Sequence, residues 1–268
     1  MITSTANQQM KLLVQLNKKR KLRDERGVFV VEGLKMFREA PGERIEKVYF
    51  SESFFAKHKT DLEKRIQQEK LDYETVTDHV FKAASDTQTP QGVLCIVRQQ
   101  ESELKTLLEA EKPLLLLLEN LQDPGNLGTI LRTAEGAGVT GVILSKGCVD
   151  LYNPKTIRST MGSVYRVPTL YTENLCDTVE LLRTHGIRSF AAHLQGVNCY
   201  DQEDYRGGTA FLIGNEGNGL TEELTEKADT LIRIPMEGRL ESLNAGVASA
   251  LLMYEAYRQR RLTLTGLL

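Results

Sequence analysis

The chain has few of the residues that staple or metallate a small fold. Of 268 residues only four are cysteine, Cys95, Cys148, Cys176 and Cys199, and no two form a C-x-x-C pair. The four histidines show neither H-E-x-x-H nor any paired spacing with the cysteines. A zinc site and a disulfide framework are therefore not expected, and buried, reduced thiols in a cytoplasmic protein account for the cysteines. The first residues, Met1 to Asn7, lack the charged-then-apolar pattern of a secretory signal, and the longest leucine run, Leu114 to Leu118, is far short of the about 20 residues that span a bilayer. No internal repeat, low-complexity segment or P-loop is present, and no G-x-G-x-x-G fingerprint follows a predicted first strand.

What remains is an ordinary globular composition, 41% hydrophobic and 26% charged, which excludes collagen, coiled coil and wholesale disorder. A chain of this length buries on the order of 75% of its unfolded surface and needs no covalent staple. The net charge of −2 conceals an asymmetry about residue 98. Residues 1–98 hold 18 Lys and Arg against 14 Asp and Glu, a balance of +4, which leaves −6 for the remainder. That split suggests a basic module for a polyanion joined to a more acidic one, and equally suits random scatter of surface charge.

Apolar strand-like runs alternate with helical ones throughout, the pattern of an α/β protein. Residues 1–98 read as a small α/β module, 99–112 as a polar helical linker, and 113–268 as a second α/β module. In the second, Leu114 to Leu118 and Ala210 to Ile213 have the unbroken apolar character of parallel strands covered on both faces. The reading also places a helix over Asn7 to Arg26, a strand over Val164 to Leu170, and a long final helix from Leu243 to Arg260. The first helix is strongly basic: Lys11, Lys18, Lys19, Arg20, Lys21, Arg23 and Arg26 face only Asp24 and Glu25. Such a run suits phosphate contacts, and a merely solvated helix face explains it as well.

Three loops follow apolar strands, where ligands bind in open α/β sheets. Glu119 to Gly128 runs into a helix that Asn126 is suited to cap and that carries Arg132. Arg132 lies six residues on, about 240° around the helix, so spacing does not place the two on one face, and an ion pair with Glu135 is its bland alternative. Gly214-Asn215-Glu216-Gly217-Asn218-Gly219 has three glycines in six residues, which let backbone approach a ligand closely. Ile234 to Asn244 opens a helix that starts with small residues, with Ser242 a candidate N-cap.

Together, in this order, the three stretches resemble the motifs of the SpoU-type (TrmH-like) branch of the SPOUT RNA methyltransferases: Asn126 to Arg132; Gly214-Asn215-Glu216-Gly217-x-Gly219-Leu220; and Ile234-Pro235-Met236-x-Gly238-x-x-x-Ser242-Leu243-Asn244. More weakly, Arg26-Gly27-x-Phe29-x-Val31-Glu32-Gly33 and Thr89-Pro90-Gln91-Gly92-Val93 resemble the ribosomal-protein-L30-like substrate-binding domain that precedes many such enzymes. The resemblance implies an N-terminal L30-like RNA-binding domain and a C-terminal SPOUT domain with a mostly parallel sheet and a trefoil knot. It implies transfer of a methyl group from S-adenosylmethionine to a ribose 2′-hydroxyl of 23S rRNA, with tRNA or a non-catalytic RNA-binding role as alternatives, and a homodimer that uses neither membrane nor metal.

By the same resemblance Arg132, Asn126, Glu216, Ser242 and Asn244 are the catalytic candidates. Gly196, Gly214, Asn215, Gly219, Ile234, Met236 and Leu243 are the cofactor-binding ones. Arg132 is expected to act as a base beside an RNA phosphate or as an electrostatic clamp. Lys18, Lys19, Arg20, Lys21, Arg23 and Arg26 are expected to contact RNA, and Leu251, Leu252 and Tyr254 of the final helix to pack a dimer.

Overall fold

The computed structural model describes residues 1–240 and 242–264, with side chains to 262. Residues 265–268, the end of the expected C-terminal domain, lie outside the described residues, as does residue 241 of the third motif. The chain divides into two compact units. One comprises Met1–Gln100 and Asp150–Tyr165, the other Glu101–Val149 and Arg166–Leu268, so a segment taken from the middle of the second module by sequence packs with the first.

In the first unit α1 (Gln8–Lys18), α2 (Arg20–Arg26), β1 (Val28–Glu32), α3 (Leu34–Glu39), β2 (Ile45–Ser51), α4 (Glu52–Glu69), β3 (Tyr73–Val76), α5 (Asp78–Ala84) and β4 (Val93–Arg98) surround a four-stranded sheet in the order β1-β4-β2-β3. Leu13 and Leu16 of α1 and Phe81 of α5 bury against Tyr49 and Leu94 of the sheet. The single helix expected over Asn7 to Arg26 is two. Asn7 caps α1 by accepting from the Gln9 amide at 2.8 Å, and Lys19 adopts an extended backbone that ends it. The turn sends Arg23 inward, where its guanidinium donates to the carbonyls of Leu16 and Asn17 at the end of α1 and pairs with Asp150. Those carbonyls have no partner within the helix, so Arg23 replaces the bonds that a continuous helix would have made.

The segment 150–165 carries a further departure. Val164 and Tyr165 lie in a 3-10 turn (Ser163–Tyr165), not in the strand expected there. The Tyr165 hydroxyl donates to the Met36 carbonyl at 3.1 Å, and the Tyr152 ring stacks on Phe29 with centroids 4.6 Å apart. These side chains are apolar because they complete the first unit's core, and period alone did not distinguish that from a strand.

The second unit contains α6 (Leu104–Leu108), β5 (Leu114–Leu118), α7 (Pro124–Ala137) and β6 (Gly141–Ser145), and α8 (Pro154–Thr160) belongs to the inserted segment. It continues with β7 (Thr169–Thr172), α9 (Leu175–Thr184), β8 (Arg188–Ala192), β9 (Asn198–Cys199), β10 (Thr209–Ile213), α10 (Glu222–Lys227), β11 (Thr230–Arg233) and α11 (Ala245–Leu264). Its seven strands are all parallel, in the order β7-β6-β5-β10-β8-β11-β9. Every residue of β5 and β10 is buried, as a parallel sheet covered on both faces requires.

Strand order reverses between the neighbours β5 and β10, which makes their carboxyl ends the topological switch point where ligands bind in such sheets. The loops after β8 and β11 emerge at the same edge. Helix α11 packs on α7 and is anchored near its other end. There the Arg260 guanidinium donates to the carbonyls of Tyr205 (2.9 Å), Lys112 (2.8 Å) and Gly207 (2.7 Å), while the Gln259 side chain accepts from the Tyr205 amide at 2.9 Å.

Candidate active site

The loop after β5 is fixed first. The buried Glu119 carboxylate accepts from the Thr221 amide (2.7 Å) and hydroxyl (2.8 Å), tying it to the start of α10. Asn120 takes a left-handed backbone, φ 53°. Its amide donates to Ser145 Oγ at 2.9 Å and its carbonyl accepts from the Asn215 side chain at 2.8 Å.

The glycine-rich loop after β10 closes on itself, Asn215 and Gly219 exchanging amide-to-carbonyl bonds of 2.9 Å in both directions. Asn215 Oδ1 also accepts from the Gly217 (2.9 Å) and Asn218 (3.1 Å) amides. A Cβ at Gly214 would lie 2.0 Å from the Gly219 carbonyl carbon, so no larger residue fits this fold of the loop. Gly196 meets a similar limit against the backbone of Ile232, at 2.5 Å.

Glu216 joins the two loops. Its Oε1 accepts from Asn126 Nδ2 and the Asp123 amide, both at 3.0 Å, and its Oε2 from the Gln122 amide at 3.1 Å. Partial burial opposes its ionisation, but the bonds from the Asn126 side chain and from those amides outweigh it and hold the carboxyl below its usual range. A depressed folded-state value means that the stabilisation is complete above the ordinary carboxylate value, about 4.3, and is lost as pH falls through the folded one. The expected outcome is a gap in thermal midpoint between the parent and Glu216→Gln that is present at neutral pH and closes below about pH 4. Calorimetric scans across that range check it, and a gap constant down to pH 3 would contradict it.

Asn126 does not cap its helix. Asp123 does, accepting from the Asn126 amide at 2.8 Å with Pro124 in the first turn, and this leaves the Asn126 side chain to face the other loops. Its Oδ1 accepts from Asn244 Nδ2 at 2.8 Å. Asn244, rather than Ser242, caps α11, accepting from the amides of Gly246 (2.9 Å) and Val247 (3.3 Å). Glu216, Asn126 and Asn244 thus form one chain of side-chain hydrogen bonds that links residues 90 and 118 positions apart.

Arg132 stands outside that chain. It is exposed on α7 and, among the described residues, its side chain makes no hydrogen bond or ion pair, while Glu135 pairs with Arg166 instead. Ser242 is exposed, and Ile234, Met236 and Leu243 are half-buried. In the loops after β8 and β11, Leu194, Val197 and Leu240 are 69%, 86% and 71% exposed. In the first unit Lys18, Lys19, Arg20, Lys21 and Arg26 are exposed, with Arg20 beside Asp24 and Lys21 beside Glu25. Arg23 is the correction: at 3% exposure its charge is spent inside the fold and is not available to RNA. Among the described residues no group of three His, Cys, Asp or Glu side chains is arranged to hold a metal, and no helix is long and apolar enough to cross a membrane.

Glu119, Gln122, Asp123 and Thr221 were not singled out from the sequence. Asp123 was accessible, because Asp followed by Pro at a helix start is a capping signal. The Glu119 to Thr221 tie bridges 102 positions and leaves no local signature.

Residues 113–254 match the model of the SpoU rRNA Methylase family. The chain belongs to that family. Residues 7–95 of this SpoU-family chain match an MRM3-like substrate binding domain. The protein is 35% identical to the 23S rRNA (guanosine(2553)-2′-O)-methyltransferase RlmP of Bacillus subtilis (strain 168), over 94% of this chain and 97% of that one. Among solved structures, an AdoMet-bound rRNA methyltransferase from Sinorhizobium meliloti superposes with a TM-score of 0.85 at 32% identity, over 96% and 97% of the two chains. The SpoU methyltransferase AviRb from Streptomyces viridochromogenes, in complex with AdoMet, superposes at 0.81 with 27% identity, over 95% and 98%. The SpoU-family chain is therefore a SPOUT-type α/β protein and an S-adenosylmethionine-dependent RNA ribose-2′-O-methyltransferase.

Proposed function

We propose that this enzyme methylates a ribose 2′-hydroxyl of 23S rRNA in the cytoplasm, at the edge of the sheet where the loops after β5, β10 and β11 meet. The observation that carries the reading is the Glu216, Asn126 and Asn244 chain, which holds the three motif loops together in a protein similar to RlmP over nearly its full length.

The residues present suit S-adenosylmethionine. Exposed Leu194, Val197 and Leu240 offer apolar surface for an adenine, Gly196 and Gly214 let the loops after β8 and β10 close against neighbouring backbone, and the half-buried Ile234, Met236 and Leu243 would complete the cofactor site. When bound, that cofactor supplies an electrophilic methyl group on a sulfonium. The chain must then hold a ribose oxygen in line and stabilise the charge that develops on it.

A guanidinium keeps its proton at any working pH, so Arg132 acts as a clamp on an RNA phosphate and the developing alkoxide. Both amide atoms of Asn126 are engaged by protein, which makes it a positioning residue. Glu216 sets its orientation, and Asn244 transmits that orientation to α11.

A second copy of the chain covers α11. Val247, Leu251, Tyr254 and Tyr257 are 49%, 37%, 48% and 39% exposed along that helix, while Leu252, expected there from sequence, is fully buried in its own unit. Leu251→Arg is expected to yield monomers by analytical ultracentrifugation where the parent sediments as a dimer; equal sedimentation of the two would contradict it.

The substrate reading is tested by incubating the purified protein with labelled S-adenosylmethionine and either a 23S rRNA transcript or a tRNA pool. Label in an alkali-resistant dinucleotide from the 23S transcript supports it, because a 2′-O-methyl group blocks cleavage at that step. Label confined to tRNA would overturn the choice of substrate.

A further inference from the structure

The first unit contains a groove of about 300 Å³ between α1 and α5, at the small end of the range for ligand sites. Its floor is the buried Met10, Val80 and Ala84, and its rim includes the exposed Lys11 and Gln15. No carboxylate lines it. Met10, Val14 and Lys18 follow one another at intervals of four, so they form one stripe of α1, and Lys18 continues the groove's face beyond its end. Lys11 and Lys18 lie about 10 Å apart along the helix axis at 1.5 Å per residue. Both are exposed, and among the described residues neither side chain makes a hydrogen bond or ion pair.

We propose that this groove is a base-reading site: an unpaired nucleobase of the RNA enters it, and the phosphates on either side lie on Lys11 and Lys18. The proposal rests on the reading of the chain as an RNA-modifying enzyme. Charge selects the occupant, because an apolar slot whose rim carries the Lys11 ammonium and the neutral polar groups of Thr5 and Gln15, with no carboxylate, suits an anionic ligand with a flat apolar part. Proteins read RNA sequence mainly in loops and bulges whose bases can be splayed out and docked singly. Gln15 supplies both a donor and an acceptor for a base edge, which gives the site a means of discrimination that the lysines lack. The whole arrangement falls on the region that matches a substrate binding domain, apart from Thr5 at its margin.

The test uses the full-length protein and a 23S rRNA transcript carrying scattered 4-thiouridine. Irradiation is expected to cross-link the peptide that contains Met10 to Gln15, as read by mass spectrometry. Ala83 is exposed at the lip of the groove, so Ala83→Phe fills it from outside the core. That variant is expected to bind the transcript at least fivefold more weakly, with unchanged affinity for S-adenosylmethionine and an unchanged thermal midpoint. Gln15→Ala, on the solvent side of α1, is the second variant and is expected to weaken binding in the same direction.

Parent-like RNA affinity in both variants, with no cross-link in the parent, overturns the groove assignment while leaving the enzymatic reading intact. A change of oligomeric state in Ala83→Phe also overturns it, because the groove would then be a protein interface. Failure of the parent to methylate 23S rRNA instead bears on the proposed substrate and is read in a separate assay.

Discussion

Arg132→Ala is expected to lower methyl transfer by about 10²- to 10³-fold, the usual cost of removing one group that stabilises developing charge, while leaving cofactor affinity within about twofold. The reason for the split is geometric. Arg132 is exposed on α7 and, among the described residues, its side chain makes no hydrogen bond or ion pair, so its removal leaves no buried group unpaired and should change the thermal midpoint by less than about 2 °C. Arg132→Lys keeps the charge and loses the planar fork that grips phosphate in a bidentate manner, and an intermediate rate is expected. Calorimetric titration of S-adenosylmethionine alongside single-turnover transfer reads both quantities. Loss of cofactor binding in Arg132→Ala would contradict the clamp and make the residue structural.

Arg23 is expected to show the opposite behaviour. Its guanidinium is nearly inaccessible and serves the carbonyls of Leu16 and Asn17 and the carboxylate of Asp150. Removing one member of a buried pair costs about 3–5 kcal/mol, because the partner charge stays buried and uncompensated. Arg23→Ala should therefore lower the thermal midpoint by roughly 10 °C for a chain of this size. Arg23→Met with Asp150→Leu removes both charges and should recover much of the loss, since an apolar replacement of a buried pair is often close to neutral. A cycle of these variants followed by thermal unfolding measures the coupling. An undiminished midpoint in Arg23→Ala, together with weaker RNA binding, would return Arg23 to the phosphate-contacting set.

The contrast between these two arginines shows what a sequence displays and what it conceals. Arg23 sits among six other cations between Lys11 and Arg26, and nothing in that run marks the one that turns inward; the break at Lys19, which turns it, has no glycine or proline to announce it. The glycine loop at Gly214 to Gly219 was legible because a close backbone approach and a left-handed Gly219, φ 69°, demand residues without side chains. The parallel strands β5 and β10 were legible because burial on both faces leaves an unbroken apolar run.

Asn126 was found as a motif residue, but its local role was read one turn too late, since Asp123 already caps α7. Its partner Glu216 was found through the motif as well, whereas the bond between them spans 90 positions and exists only in the folded chain. The apolar Val164, Tyr165 and Leu252 were recognised as buried or buriable, and what each packs against was set by tertiary structure alone.

The central claim, ribose methylation of 23S rRNA, is tested most directly by mapping 2′-O-methyl groups across all rRNA and tRNA from cells with and without the gene. The expected result is one 23S rRNA position whose resistance to alkaline cleavage disappears with the gene and returns with the parent sequence but not with Arg132→Ala. Unchanged 23S rRNA together with a lost tRNA methyl group, or methylation maps identical in both strains, would contradict it.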